Sequence, residues 1–145
     1  MMTQIFEISR SAMDVEWRRL EVIAQNLANA GTTRTPDGRP YQPMRLVSGP
    51  SLFPVDKGPS SSETSRSSRG VRVYGYESMN VSPRLVYEPS HPHADPNGFV
   101  AYPGIDHASE MSLMVKTLRV YEANVVSFNA ARNMYLKAME LGSKT

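Results

Sequence analysis

The sequence predicts a mainly α-helical chain with a small β middle. Paired amino- and carboxy-terminal helices are expected to form a coiled-coil-like core, with an irregular, hairpin-bearing region between them. Three observations carry that class. All eleven prolines lie between Pro36 and Pro103, so both ends lack the residue that removes a helix donor and clashes with the preceding turn. Each end carries an apolar repeat close to seven residues, the period of a helix that packs along another helix. Between them, residues 31–70 hold five Gly, six Pro and eight Ser, a composition too poor in apolar side chains to fill a core. The expected organisation is a helix at 1–31, a loop and small β region at 32–105 with a flexible stretch at 59–70, and a second helix at 106–145.

The first helix is justified by Phe6, Met13, Leu20 and Leu27, which recur every seventh residue. Trp17, Ile23, Ala24 and Ala30 widen that stripe, while Glu7, Arg10, Asp14, Glu16, Arg18, Arg19 and Glu21 supply the polar positions. Gly31 follows the last periodic residue and suits a left-handed helix cap. In the middle, Val71-Arg72-Val73-Tyr74-Gly75-Tyr76 and Arg84-Leu85-Val86-Tyr87-Glu88 are β-rich and bounded by turn residues. Gly98-Phe99-Val100-Ala101-Tyr102 is a third expected strand. Thr35-Pro36-Asp37-Gly38 and Asp95-Pro96-Asn97-Gly98 both place Pro second and Gly fourth, which suits type I turns.

The last helix starts after Asp106, a capping residue. Met111, Met114, Leu118, Tyr121, Val125 and Phe128 alternate in steps of three and four, and Tyr135 and Met139 continue the register past Arg132. That spacing predicts a coiled-coil seam on a helix over 107–141, about 50 Å long. So much apolar edge exceeds what one other helix covers, so the expectation is packing against the first helix and against other subunits. Six amides sit on the two helices, Gln25, Asn26, Asn29, Asn124, Asn129 and Asn133. Asn is a poor helix former, so the amides are read as specific hydrogen-bonding groups at interfaces, against the alternative of one solvated face. The expected interface residues are Phe6, Met13, Trp17, Leu20, Asn26, Leu27 and Asn29 on the first helix. On the last they are Met111, Met114, Leu118, Tyr121, Asn124, Val125 and Phe128.

Composition removes several function classes. A chain of 145 residues without cysteine has no disulfide, thiolate zinc site or cysteine nucleophile. A net charge of +2 is no nucleic-acid footprint, and no apolar run reaches the roughly 18–20 residues that span a bilayer. The amino terminus lacks the basic and apolar regions of a secretory signal. The expectation is a soluble chain that, if it leaves the cytoplasm, does so by a route that removes nothing. His91, His93 and Asp95 read as a proline-fixed turn rather than metal ligands, for want of a defined third ligand. There is no Gly-x-Ser-x-Gly elbow and no phosphate loop preceding a helix. No catalytic residue, cofactor, metal or nucleic-acid partner is expected.

The first helix closes on Gln25-Asn26-Leu27-Ala28-Asn29-Ala30-Gly31-Thr32-Thr33. This resembles the signature of the flagellar axial (rod and hook) proteins. Thr35-Pro36-Asp37-Gly38-Arg39-Pro40-Tyr41 departs from the Thr-Gly-Tyr ending common there and is similar to the proximal-rod branch. Leu85-Val86-Tyr87-Glu88-Pro89, His91-Pro92-x-Ala94-Asp95-x-Asn97-Gly98-Phe99-Val100 and Pro103-x-Ile105-Asp106-x-x-x-Glu110-Met111 agree with the same branch. So does the closing helix, from Tyr121-Glu122-Ala123-Asn124 to Lys137-Ala138-Met139-Glu140-Leu141-Gly142. The blocks run in order over essentially the whole chain; the serine-rich 59–70 and Arg132 are the departures.

The resemblance implies a structural component of the proximal rod of the bacterial flagellar basal body, located in the periplasm-spanning rod. It implies export through the flagellar type III apparatus without a cleaved signal peptide. The terminal helices would pair as the inner part of a helical tube built with other rod proteins and further copies of the chain. That tube transmits torque and encloses the export channel. The alternative from another class is a coiled-coil adaptor or secreted interaction module without catalytic activity.

Overall fold

The structure, a computed structural model, describes residues 2–54 and 66–142. The element order is α1 (Met2–Ala28), β1 (Met44–Pro54), β2 (Arg66–Ser78), β3 (Arg84–Tyr87), β4 (Phe99–Tyr102) and α2 (His107–Gly142). β1 and β2 form one two-stranded sheet, and β3 and β4 another. β3 and β4 are antiparallel, with Arg84 opposite Tyr102, Leu85 opposite Ala101, Val86 opposite Val100 and Tyr87 opposite Phe99.

Both helices and the three expected strands form. β1 is an addition: Met44-Arg45-Leu46 alternates apolar and polar as a strand does, but lies inside the Gly/Pro/Ser-rich window, whose average hides it. β2 begins at Arg66, so 66–70 of the serine-rich stretch are strand, while 59–65 lies outside the described residues. The two Pro-x-Gly turns are copies of one device. Gly38 N–H donates to Thr35 C=O at 2.8 Å and Gly98 N–H to Asp95 C=O at 2.9 Å. The next carbonyls, of Arg39 and Phe99, accept from the N–H of Thr35 and Asp95, both at 2.8 Å. Gly38 and Gly98 sit at φ 78° and 84°, the left-handed residue of a type I turn with a bulge.

Gly31 is not the left-handed cap that the sequence predicts; its φ is not positive. After a last α-helical bond, Asn29 N–H to Gln25 C=O at 3.0 Å, the helix end closes instead by tightened turns, Ala30 N–H to Leu27 C=O at 3.3 Å and Thr32 N–H to Asn29 C=O at 3.0 Å. These bonds occupy carbonyls that a left-handed cap would otherwise serve. At the other helix Asp106 does cap. Its carboxylate accepts from Ala108 N–H at 3.0 Å and from the Ser109 hydroxyl at 2.6 Å.

The chain divides into two compact units, and each draws on both helices. The first gathers Met1–Arg18, Val47–Gly75 and Leu118–Thr145. Here Phe6 meets Phe128 and Tyr135, with ring centroids 5.2 and 6.4 Å apart, and Trp17 meets Tyr121 at 6.4 Å. The pairing order shows that the two helices run antiparallel. Among the described residues, Val15, Ala131 and Ser9 are the buried ones of this unit. β2 crosses α1 at Gly70, where φ is +82° and an added Cβ would strike the Ser11 hydroxyl. That hydroxyl accepts from Val71 N–H at 3.1 Å and donates to Ile8 C=O at 2.8 Å.

The second unit gathers Arg19–Leu46 and Tyr76–Thr117. Its apolar core is Val22, Ile23, Leu46 and Val100. The alternation of β3 and β4 turns Val86 and Val100 to one face and leaves Leu85, Tyr87 and Phe99 exposed on the other.

Candidate assembly interface

The covered positions of α2 are 110, 114, 117, 121, 124, 125, 128 and 131; apart from 125 they lie alternately four and three residues apart. This is a 3.5-residue seam, displaced from the expected one. Met114, Tyr121 and Phe128 are shared by both. The other covered positions are Glu110, Thr117, Asn124, Val125 and Ala131, while Met111 and Leu118 are not among them. Glu110, Thr117 and Ala131 are buried; Met111 and Leu118 are exposed, and Val125 is half-buried. Polar and small residues succeed there because each polar group has a bond. Thr117 donates to Leu113 C=O at 2.8 Å, and Glu110 accepts from Asn26 at 3.4 Å. The sequence carried a signal for this seam in the polar or small repeat 110, 117, 124, 131, parallel to the apolar one.

On α1, Phe6, Met13, Leu20 and Leu27 are all half-buried, while Val15, Val22 and Ile23 are deepest. Trp17 is 56% exposed despite its contact with Tyr121.

The three expected interface asparagines take different roles. Asn26, 2% exposed, uses its whole amide. Nδ2 donates to Met44 C=O at 2.8 Å and to Glu110, while Oδ1 accepts from Met44 N–H and the Tyr41 hydroxyl, both at 3.0 Å. A side-chain amide thus stands in for a neighbouring peptide and fixes the start of β1 on α1. Tyr41 had no sequence signal for this contact; burial, then the Glu110 carboxylate, push its hydroxyl above the usual tyrosine value. Asn29 and Asn124 instead bond within their own helices. Asn29 Nδ2 donates to Gln25 C=O and Asn124 Nδ2 to Val120 C=O, both at 2.9 Å. The i−4 carbonyl is the nearest acceptor for such a side chain.

The histidine loop is held by local bonds. His93 N–H donates to His91 Nδ1 at 3.0 Å, and Asp95 Oδ1 accepts from the N–H of Asn97 and Phe99. The Asp95 carboxylate is therefore committed to its turn. Among the described residues no three His, Cys, Asp or Glu come together as a metal group, and no helix is long and apolar enough to cross a membrane.

What the described surface does offer is apolar area. Twenty large apolar side chains are exposed, eleven of them on α2 alone, spread over more faces of that helix than one neighbour covers. A helix apolar on several sides is a buried helix lacking its neighbours.

No protein-family model matches the chain. It is similar over nearly its whole length to curated proteins called flagellar basal-body rod protein FlgC. Identity to that of Salmonella typhimurium is 38% over 138 residues, covering 95% of this chain and 96% of the relative. For Bacillus subtilis it is 33% over 141 residues (93% and 94%), and for Borreliella burgdorferi 32% over 141 residues (92% and 93%).

Proposed function

The chain belongs to the FlgC family of flagellar basal-body rod proteins, and from that premise we propose how it serves as a rod subunit. It is a structural protein of the bacterial flagellar basal body and not an enzyme. Its terminal helices pack with those of further copies and of other rod proteins into a helical tube. The tube transmits torque and encloses the channel through which later subunits travel. The chain reaches the rod through the flagellar type III export apparatus, with no signal peptide removed. Phe6, Met13, Leu20, Leu27 and Asn26 brace the helix pair. Trp17, Met111 and Leu118 face neighbouring subunits, with Met114, Tyr121, Asn124, Val125 and Phe128 behind them.

The observation that carries this reading is the apolar surface of α2, which one chain leaves uncovered on several sides. Linear growth needs contacts between unlike surfaces of successive subunits, and a helix with several apolar faces supplies them. The test is genetic. Deleting the gene should abolish filaments while the cytoplasmic export machinery is still made. Complementation with Trp17→Asp or Met111→Asp should fail although the protein is synthesised and folded, because a carboxylate at a dry contact costs several kcal/mol. Normal filaments in the deletion strain would overturn the rod role; filaments altered only in number or position would favour an adaptor.

A further inference from the structure

The loop between β3 and β4 carries two histidines that bond in different ways. His91, half-buried, accepts the His93 N–H on its Nδ1 at 3.0 Å. Bonding the N–H two residues on is the role that Asx turns give to Asn or Asp. Asp95 plays that role next in the same loop, accepting from Asn97 N–H at 2.9 Å. His93, exposed, reaches out of the loop instead. Its Nδ1 lies 2.9 Å from the Thr33 hydroxyl, in the connection that follows α1. The two imidazole rings are 5.3 Å apart.

The two bonds respond differently to a proton. A hydroxyl donates to a neutral imidazole and accepts from a charged one, so the His93–Thr33 contact is compatible with either state. The His91 bond is not. Its Nδ1 accepts only while it carries no hydrogen, and turning the ring over merely brings a carbon–hydrogen bond to the same place. No orientation of an imidazolium accepts the His93 N–H. The titratable and charged groups around His91 are Glu88, His93 and Asp95 from its own loop, Arg84 from β3 and Tyr102 from β4. The Tyr102 ring lies 6.5 Å from that of His91, and its hydroxyl donates to Glu88 at 3.1 Å. Arg84 sits 5.8 Å over the Tyr102 ring, and Asp95 is bonded to the N–H of Asn97 and Phe99. The connection after α1 contributes the uncharged Thr33 hydroxyl.

We propose that His91 is a proton-operated clasp. Neutral, it shapes the loop so that His93 reaches Thr33. Protonated, it releases the His93 amide and slackens the tie between the β3–β4 hairpin and the connection after α1. The contribution of the bond is present above the range in which an imidazole takes its second proton, about pH 6.5, and is lost as pH falls through it. A second charge on His93, 5.3 Å away, adds repulsion to the same release. The clasp does not rest on the rod reading; only the choice of sample does.

Amide hydrogen exchange read by mass spectrometry tests the clasp on the full-length chain in isolated basal bodies, its assembled form under the rod reading. Exchange is followed at about pH 5 and about pH 7.5, on either side of the imidazole range, with times scaled for the intrinsic rate. The His93 amide should exchange about fivefold faster at the lower pH, the equilibrium equivalent of one hydrogen bond. His91→Asn places a carbonyl oxygen where Nδ1 stood, accepts the same N–H and takes no proton, so its scaled rates should agree at the two pH values. His93→Gln leaves the sensing ring intact and should keep the acid response at that amide. An unchanged rate in the native chain, or an acid response that persists in His91→Asn, would overturn the clasp. A response lost in His93→Gln but kept in His91→Asn would overturn the role of His91. A chain missing from basal bodies fails the rod reading, whereas a chain present there but indifferent to acid fails the clasp.

Discussion

In the second unit a buried amide holds two other segments through three residues: Asn26 bonds both backbone groups of Met44, the Tyr41 hydroxyl and the Glu110 carboxylate. In the first unit the same two helices meet through rings, Phe6 on Phe128 and Tyr135, and Trp17 on Tyr121. Among the described residues, the second unit holds four of the six buried apolar core residues, whereas the first carries twelve of the twenty exposed large apolar side chains. Hydrogen bonds are directional and expensive to leave unmade in a dry site, so the amide cluster fixes one arrangement. Ring packing against a half-open surface is more permissive and leaves apolar area for other chains. The difference separates a region whose polar groups its own chain satisfies from one whose apolar surface its own chain leaves open.

The largest expected effect comes from breaking the amide cluster. Asn26→Leu strands Met44 N–H and C=O, the Tyr41 hydroxyl and Glu110, and should cost about 3–5 kcal/mol in urea unfolding followed by circular dichroism. Asn29→Leu, which loses only local bonds to Gln25 C=O and from the Thr32 hydroxyl, should cost under about 1 kcal/mol. Equal losses would erase the distinction between the two asparagines. Next is the crossing of β2 over α1. Gly70→Ala should cost about 1–3 kcal/mol, since a non-glycine residue is strained at that φ and its Cβ meets Ser11. The double variant Ser11→Gly, Gly70→Ala should recover only part of the loss, because the backbone strain persists.

The aromatic contacts of the first unit should matter less to the isolated chain. Phe6→Ala should cost about 1–2 kcal/mol, below the roughly 3–5 of a fully buried ring, and Trp17→Ala under about 0.5. The sole tryptophan also reports assembly directly. Its emission should shift to the blue on incorporation, and an unchanged spectrum would remove Trp17 from the interface.

The smallest effects are those of pH. The Ser109 hydroxyl and then the Ala108 amide hold the Asp106 carboxyl below its usual range. Its contribution to stability is therefore present above the ordinary carboxylate value and lost as pH falls through the lowered one. Asp106→Asn, which still caps, should flatten that part of the acid limb. Tyr41 acts in the opposite direction. Its raised value means a contribution present below the ordinary tyrosine value and lost as pH climbs through the raised one. Tyr41→Phe should remove this alkaline component, read by circular dichroism between about pH 9 and 12.

Periodicity, proline placement and turn chemistry are local properties, so they were legible without coordinates. They determined the two helices, β3 and β4 with their turn, the Asp106 cap and the family resemblance. Whether a residue faces its own chain or a neighbour is a different quantity. The apolar stripe of α2 is broad, and 3.5- and 3.6-residue periods separate too slowly to say which edge turns inward. The tertiary structure chose the edge with Glu110, Thr117 and Asn124, because Asn26 and the helix backbone satisfy those groups there, and so left Met111 and Leu118 outside. It likewise made Gly31 an ordinary turn residue and β1 a strand, since carbonyl partners and a neighbouring strand are supplied by the fold and not by the local sequence.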